Sequence, residues 1–145
     1  MTGKIDNISY EEATNLFQLF CARVRKSPDK LAYRYCEKNS DKWQTLTWSQ
    51  MADHVAHWQE ALRGEQLSPG DRVALMVSNC PYWLMFEQAA IGLGLVVVPL
   101  YTNDRSENVS YIIDDAEVKV LLFETAEQWN DLKQGLKSRE SLKTI

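Results

Sequence analysis

The stretch GDRVALMVSNCPYWLMFEQAAIGLGLVVVPLY, residues 70–101, contains two apolar runs on either side of an apolar helix. The first run, residues 72–78, is almost uninterrupted, which is typical of a strand that is covered on both faces of a parallel sheet. The second run, residues 95–101, has Pro99 near its end, where a proline is better tolerated than at the centre of a strand. Strand, helix and strand in this order predict a right-handed βαβ unit in the middle of the sheet.

The helix between these strands has well-marked boundaries. Asn79 is a candidate N-cap, and Pro81 falls in the first turn, where its missing N–H costs nothing. Gly92 and Gly94 end the helix. Because they follow a helix and precede a strand, the reverse of the glycine arrangement that binds dinucleotides, we interpret them as a helix stop.

This helix has little surface to expose to water. Only Glu87 and Gln88 are polar between residues 83 and 95, so we expect the helix to have neighbours on several sides. If the chain lacks some of these neighbours, it should expose apolar surface or bury it by self-association.

Four residue pairs have the spacing of a capping box, and each precedes an apolar stripe with helical periodicity. The pairs are Ser9 with Glu12, Thr47 with Gln50, Asp104 with Glu107, and Thr125 with Gln128. They predict four helices in addition to the central one. The first helix is expected to run from Ser9 to Ser27, with Ala13, Leu16, Phe17, Phe20 and Val24 on its apolar face.

Four further runs favour β-structure. Residues 31–36 and 43–48 predict a hairpin, residues 118–124 a third parallel strand, and residues 142–145 the beginning of another strand. Since this last run stops without a turn or polar tail, we expect the sequence to be part of a longer chain. The order of elements predicts an α/β fold, a largely parallel sheet flanked by helices with an N-terminal helix and β-hairpin, in a single domain over residues 1–145.

The composition is that of a globular protein: 145 residues, 45% apolar and 25% charged. The net charge of −4, with no cluster of Lys and Arg, argues against a nucleic-acid partner. The three cysteines, Cys21, Cys36 and Cys80, lack the spacing of a zinc site and are interpreted as reduced packing residues. Neither a signal peptide nor a transmembrane segment is recognisable, which predicts a cytoplasmic location.

The sequence offers no residues that we assign to catalysis, cofactor binding or metal binding. Neither a dinucleotide-binding loop nor a P-loop can be built from its six glycines. His54 and His57 are three apart on one helix but lack a third ligand, so we interpret them as boundary residues. The adjacent Asp114 and Asp115 point about 100° apart on a helix and suit a solvated helix end better than acid–base catalysis. The tryptophans are expected in the core or at an interface; they are Trp43, Trp48, Trp58, Trp83 and Trp129.

Several motifs in residues 45–124 occur in a familiar order. These are Thr-Trp before a helix, Pro-Gly-Asp-Arg-Val-Ala at the first strand, Asn79 four residues before Trp83, Gly-Leu-Val-Val-Val-Pro-Leu-Tyr-Thr from Gly94, Val-Ser-Tyr-Ile-Ile-Asp-Asp from Val109, and Val-Lys-Val-Leu from Val118. In this order they resemble the N-terminal region of the acyl-adenylate-forming enzymes, most closely bacterial long-chain acyl-CoA synthetases. The resemblance covers about residues 16–124.

The resemblance implies a parent enzyme that uses ATP and magnesium to convert a fatty acid to an acyl-adenylate and then transfers the acyl group to coenzyme A. The family's phosphate loop, Tyr-Gly-x-Thr-Glu motif and catalytic lysine follow the matched region and do not occur here. The resemblance therefore implies that this chain carries no catalytic residue, and that its partner is the remainder of the ligase.

Three hypotheses follow. The first is a non-catalytic N-terminal part of a long-chain fatty-acid CoA ligase. The second is a self-contained α/β binding or dimerisation module, which would form a homodimer through its apolar surface. The third is a free-standing flavodoxin-like protein with a small-molecule site near Asn79 or residues 102–104, which the missing phosphate loop disfavours.

Overall fold

The computed structural model describes residues 6–37, 40–137 and 142–144. The helices in this part of the chain are α1 (Leu16–Lys26), α2 (Trp48–Gly64), α3 (Pro81–Gly92), α4 (Ser106–Asp115) and α5 (Ala126–Leu132). The strands are β1 (Leu31–Cys36), β2 (Trp43–Thr47), β3 (Arg72–Met76), β4 (Val96–Pro99), β5 (Val120–Phe123) and β6 (Lys143–Thr144). None of these helices is long and apolar enough to cross a membrane.

The strands form two sheets. Strands β1 and β2 are an antiparallel hairpin, as predicted, and the other four form a parallel sheet in the order β4-β3-β5-β6. In the central strand, Val73 pairs with Val97 on one side and with Val120 on the other. The parallel pairing of β3 and β4 around α3 confirms the central βαβ unit. Strand β6 confirms the strand predicted in residues 142–145 as far as Thr144, and residue 145 lies outside the described residues. Strands β3, β4 and β5 are shorter than the predicted runs, because apolar residues at the ends of these runs lie outside the paired segments of the sheet.

Apolar cores lie on both faces of this sheet. Successive residues of β3 point to opposite faces: Val73 and Leu75 belong to a core shared with α1, α2 and α3, whereas Ala74 and Met76 belong to a core shared with α4 and α5. The result is three layers, with helices on each side of a sheet whose central strands, β3 and β5, are buried except for Arg72 and Phe123 at their ends. This agrees with the predicted fold class.

Helix α3 finds its neighbours within the chain. Its buried residues are Pro81, Met85, Phe86, Ala89 and Ala90, and the last four lie in the core formed with α1, α2 and the sheet. The ring of Phe86 meets Trp58 of α2 edge to face, with centroids 5.4 Å apart. The expected neighbours on several sides of this helix are therefore present within the chain for most of its surface. Helices α1 and α2 cover the side that the sheet does not.

The end of α3 is a complete Schellman motif. The N–H of Leu95 donates to the carbonyl of Ala90 at 3.0 Å, and the N–H of Gly94 donates to that of Ile91 at 3.1 Å. Gly94 has φ of +75°, and a Cβ there would lie 3.3 Å from Pro69 Cβ. The left-handed conformation and the close approach both require glycine, which confirms the helix-stop interpretation.

Two of the predicted capping boxes are present. At the start of α2, Thr47 Oγ1 accepts from the Gln50 N–H at 3.3 Å, and Gln50 Oε1 accepts from the Thr47 N–H at 2.9 Å. Thr125 and Gln128 repeat the arrangement at α5. Both predictions are confirmed.

The capping box predicted at Ser9 is wrong as a helix start. Ser9 and Glu12 do exchange hydrogen bonds, but these close only a single turn. Helix α1 begins later, at Leu16, because Asn15 Oδ1 accepts from the Gln18 N–H at 2.9 Å and serves as the N-cap. Leu16 then falls on the outer face, 64% exposed, instead of on the predicted apolar stripe.

The other two predicted caps are also wrong. Asp104 Oδ1 accepts from the adjacent Arg105 N–H at 2.7 Å, so Arg105 becomes the N-cap of α4 and Glu107 does not pair with Asp104. At α3 the N-cap is Cys80, one residue after the predicted Asn79, and its side chain makes no capping hydrogen bond. Pro81 is at the predicted position.

Two residues predicted as packing groups lie on the outside of the hairpin. Trp43 is 63% exposed, with the Arg34 guanidinium 5.3 Å from its ring centroid. Cys36 is also exposed, and its thiol is bonded to the Ser40 carbonyl oxygen at 2.6 Å. A two-stranded hairpin has one face against the core, so alternate residues necessarily face outward.

Thr47→Ala should destabilise the protein by about 1 kcal/mol, because it removes the side-chain half of the α2 capping box. The free energy of unfolding, measured by urea denaturation, checks this. Thr47→Ser keeps the hydroxyl acceptor and should stay within a few tenths of a kcal/mol of the parent chain. Equal losses in both variants would show that the cap contributes nothing.

Glu87→Gln should stabilise the protein at neutral pH and not in acid. Burial raises the pKa of Glu87 above its ordinary value of 4.5, so the unfolded chain loses this proton before the folded chain does. The folded state therefore loses relative stability as pH rises through the folded pKa, a loss that glutamine avoids.

Unfolding midpoints of the parent and the variant, measured at about pH 3.5 and at about pH 7, test whether the stabilisation appears only at neutral pH. The glutamine variant should gain over the parent only at the higher pH. Asp53→Asn removes the same charge from an exposed position on α2 and is the matched control. An equal gain from Glu87→Gln at both pH values would contradict the prediction.

Candidate functional site

The strand order places a crevice at the carboxyl edge of the parallel sheet. From β3 the chain passes through α3 to β4 on one side, and then through α4 to β5 on the other side of β3. In doubly wound sheets, ligands bind outside the carboxyl ends of the strands at the point where the order reverses. Here that point lies between the ends of β3 and β5.

A single carboxylate bridges the two strand ends. Glu124, directly after β5, accepts with Oε2 from the Ser78 hydroxyl at 2.7 Å and from the Ser78 N–H at 3.2 Å. The Glu124 N–H in turn donates to Gln128 Oε1 at 2.8 Å. These bonds join the ends of β3 and β5 to the start of α5, and the space toward α4 and α5 stays open.

A cavity of about 270 Å³ occupies that opening. Its floor is Met76 at the end of β3, and its walls come from the β4–α4 loop, α4, and α5 with the turn that follows it. The lining residues are Met76, Thr102, Asp104, Ser106, Val109, Gln128, Asn130, Asp131, Leu132 and Gln134. Thr102 and Asp104, which line this cavity, belong to one of the two places that the flavodoxin-like hypothesis named for a site.

The charge of this cavity is negative. Asp104 and Asp131 contribute carboxylates, and the lining includes neither lysine nor arginine. One oxygen of Asp104 already accepts from the Arg105 N–H and from Asn108 Nδ2. The remaining hydroxyl, amide and carboxylate groups suit neutral or cationic hydrogen-bond donors and disfavour a phosphate group.

The described residues do not fit the nucleotide and metal that the resemblance implies. Phosphates need converging backbone N–H groups or cations, but Pro81 in the first turn of α3 has no N–H, and the crevice cavity is lined by neither lysine nor arginine. In the part of the chain that the structure describes, no group of three or more His, Cys, Asp and Glu side chains could hold a metal ion. We therefore derive no nucleotide chemistry from this chain.

The polar residues singled out from the sequence do not come together. His54 and His57 are both exposed on α2, which agrees with their interpretation as surface-boundary groups. At the other end of the molecule, the Asp114 carboxylate accepts from the Lys137 N–H at 3.1 Å, a helix-end contact. Cys21 and Cys80 are half-buried.

Residues 102–104 were named by one sequence hypothesis, but the other residues that shape the crevice were not predicted from the sequence. Ser78 and Glu124 are 46 positions apart, and neither belongs to a motif. Asn130 and Asp131 lie on a helix that was predicted, but nothing in its periodicity indicates that its polar face closes a cavity. The only available signal was the position of Glu124 directly after a buried strand, which places it at the carboxyl edge.

Comparison with known proteins places these features in a family. The AMP-binding enzyme family matches residues 20–145. The chain is 28% identical over 137 residues to "Long chain acyl-CoA synthetase 1" of Arabidopsis thaliana, an alignment that covers 92% of this chain and 21% of that protein. The chain thus spans about a fifth of that relative's length.

Two solved structures share the fold. The "Mycobacterium tuberculosis fatty acyl CoA synthetase" superposes with a TM-score of 0.76 at 22% identity, over 92% of this chain and 27% of that one. The "Klebsiella oxytoca NpsA N-terminal subdomain" superposes with a TM-score of 0.72 at 17% identity, over 89% of this chain and 30% of that one. The architecture is that of the N-terminal subdomain of acyl-adenylate-forming enzymes, and with the match over residues 20–145 the chain belongs to the AMP-binding enzyme family.

Proposed function

We propose that this chain is the N-terminal structural part of a long-chain fatty-acid CoA ligase and has no catalytic activity alone. The parent reaction would be the activation of a fatty acid by ATP and magnesium to an acyl-adenylate, followed by thioester formation with coenzyme A. The observation that carries the proposal is the combination of a family match over residues 20–145 with a sheet edge whose described residues do not fit a nucleotide.

The proposal extends to the domain organisation, the partner and the cellular location of the chain. The chain acts as one domain over residues 1–145, its partner is the remainder of the ligase, and the assembled enzyme works in the cytoplasm. The long-chain substrate is supported by relatives such as the Arabidopsis protein, whose name specifies long-chain acyl-CoA synthesis. In this arrangement the parallel sheet and its two cores hold the crevice edge rigid, while other segments supply ATP, magnesium and coenzyme A contacts.

Pyrophosphate release tests the proposal. The chain is mixed with ATP, magnesium, palmitate and coenzyme A, beside the Arabidopsis relative as positive control. We expect release from the relative and only background from this chain. Release well above background from this chain would contradict the proposed lack of activity.

One observation favours the second candidate, a binding or dimerisation module. Strand β4 is an edge of the parallel sheet, paired only with β3 among the described residues, and Val96 on it is 47% exposed. A flat apolar edge can pair with another chain, although Pro99 lacks the N–H that such pairing needs. Light scattering separates the candidates, because a monomer at all concentrations would exclude self-association.

A further inference from the structure

A second cavity lies on the opposite side of the sheet from the crevice cavity. It has a volume of about 370 Å³ and lies between β1 and the first turn of α3. Its lining residues are Tyr33, Arg34, Tyr35, Asn79, Cys80, Pro81, Trp83 and Leu84. Its volume is within the range of small-molecule sites, and like such sites it combines an apolar lining with few polar groups.

Aromatic rings form two of its walls. Tyr33 and Tyr35 are two residues apart on β1, so both project from the same face of the strand, and Trp83 faces them from α3. Pro81 and Leu84 contribute aliphatic surface. Rings of this kind pack against another ring in offset-stacked or edge-to-face geometry, which selects planar ligands over puckered ones.

The charges around the cavity favour a neutral ligand. Burial raises the pKa of Tyr33, and the neighbouring Glu87 carboxylate raises it further. Burial likewise raises the pKa of Tyr35, with Glu37 as a further cause. The one cation in the lining, Arg34, has its guanidinium over the ring of Trp43. The Glu37 and Glu87 carboxylates do not line the cavity, but their negative field acts on the phenols and disfavours an anionic ligand such as a fatty acid.

One polar group at the rim is available for orientation. The Asn79 side chain is exposed at the end of β3 and has no hydrogen-bond partner among residues 6–37, 40–137 and 142–144. Its amide presents both a donor and an acceptor. A carboxamide on the ligand would match both groups.

From these observations we propose that the cavity between β1 and α3 binds a neutral, planar aromatic ring that carries an amide-like substituent, the ring lying among Tyr33, Tyr35 and Trp83 and the substituent on Asn79. The site is separate from the crevice cavity and does not depend on the ligase function proposed above. It belongs to the folded 145-residue chain.

Nuclear magnetic resonance of the intact ¹⁵N-labelled chain tests this with benzamide as the probe. The Trp83 indole N–H signal, identified by its loss in Trp83→Phe, is followed during the titration. We expect a saturable shift with a millimolar Kd. Cyclohexanecarboxamide has the same amide on a puckered ring, and benzoate has the same ring with a negative charge; both should bind at least about fivefold more weakly.

Variants locate the site. Tyr35→Leu should weaken benzamide binding about tenfold, and Asn79→Ala, an exposed change that leaves the core intact, about threefold. Tyr111→Leu, at a tyrosine on α4 that is 67% exposed, is the matched control and should bind like the parent chain. If Tyr35→Leu does not fold, Asn79→Ala alone decides the location. The proposal is overturned by a shift that does not saturate, by equal binding of the three compounds, or by unchanged binding in Asn79→Ala.

Discussion

Phe86→Ala should lower the free energy of unfolding by about 3 to 5 kcal/mol. The ring is fully buried, at 0% exposure, and stands edge to face on Trp58 where α3 meets α2. The truncation loses the transfer free energy of the ring and leaves a cavity between two helices and a sheet that cannot all move inward. Since a domain of this size is stable by only about 5 to 15 kcal/mol, a large part of its stability would be lost.

The control for this variant lies on the same helix. Tyr82 is 59% exposed, so Tyr82→Ala should cost no more than about 0.5 kcal/mol. Urea denaturation followed by circular dichroism measures both. Similar small losses in the two variants would mean that α3 is not packed between the other helices and the sheet as described.

Gly92→Ala should destabilise the protein by about 1 to 3 kcal/mol, although alanine is the better helix former. A Cβ at Gly92 would lie 2.5 Å from Phe17 Cε2 of α1 and would also meet Gln59 Nε2 of α2. The Gln59 amide can swing away only by giving up its bond to the Ala89 carbonyl. The Phe17 ring is stacked on Phe20, with centroids 6.4 Å apart, and has less freedom to move.

Gly64→Ala is the matched test of this argument. Gly64 is the last residue of α2, and a Cβ there would meet no atom within 4 Å. Helix propensity should then prevail and leave stability unchanged or raised by up to about 1 kcal/mol. Opposite signs for the two glycine variants would support a three-helix contact at Gly92. A stabilising Gly92→Ala would contradict it.

Local signals in the sequence were sufficient for most of the architecture. The buried runs around residues 72–78 and 95–101 predicted two parallel strands, because a short and almost uninterrupted apolar run is typical of a strand covered on both faces. Thr47 and Thr125 predicted helix starts correctly, since a capping box involves residues only three apart. Gly94 likewise predicted the end of α3, because the motif that ends a helix involves only residues close in sequence.

Predictions failed where a nearby residue competed for the same role. Ser9 and Glu12 satisfy each other, but Asn15 starts the helix because its amide oxygen caps a longer apolar segment. Asp104 does not cap α4, because its carboxylate accepts from the N–H of the adjacent Arg105, which becomes the N-cap. In neither case does the three-residue spacing alone show whether the pair starts a helix.

The coverage of α3 and the geometry of the crevice are tertiary properties. That α1 and α2 would enclose α3 could not be predicted from the composition of α3, which indicates only that it needs partners. The Ser78–Glu124 bridge depends on strands β3 and β5 being neighbours, and the strand order was not contained in any local pattern. The aromatic cavity between β1 and α3 likewise joins residues that are distant in sequence.

We propose that this member of the AMP-binding enzyme family folds as a scaffold and does not by itself bind the nucleotide. Titrating ATP with magnesium into the ¹⁵N-labelled chain tests both parts in one spectrum. We predict a well-dispersed spectrum that does not change up to millimolar nucleotide. A collapsed spectrum, or saturable shifts at micromolar ATP, would contradict the account.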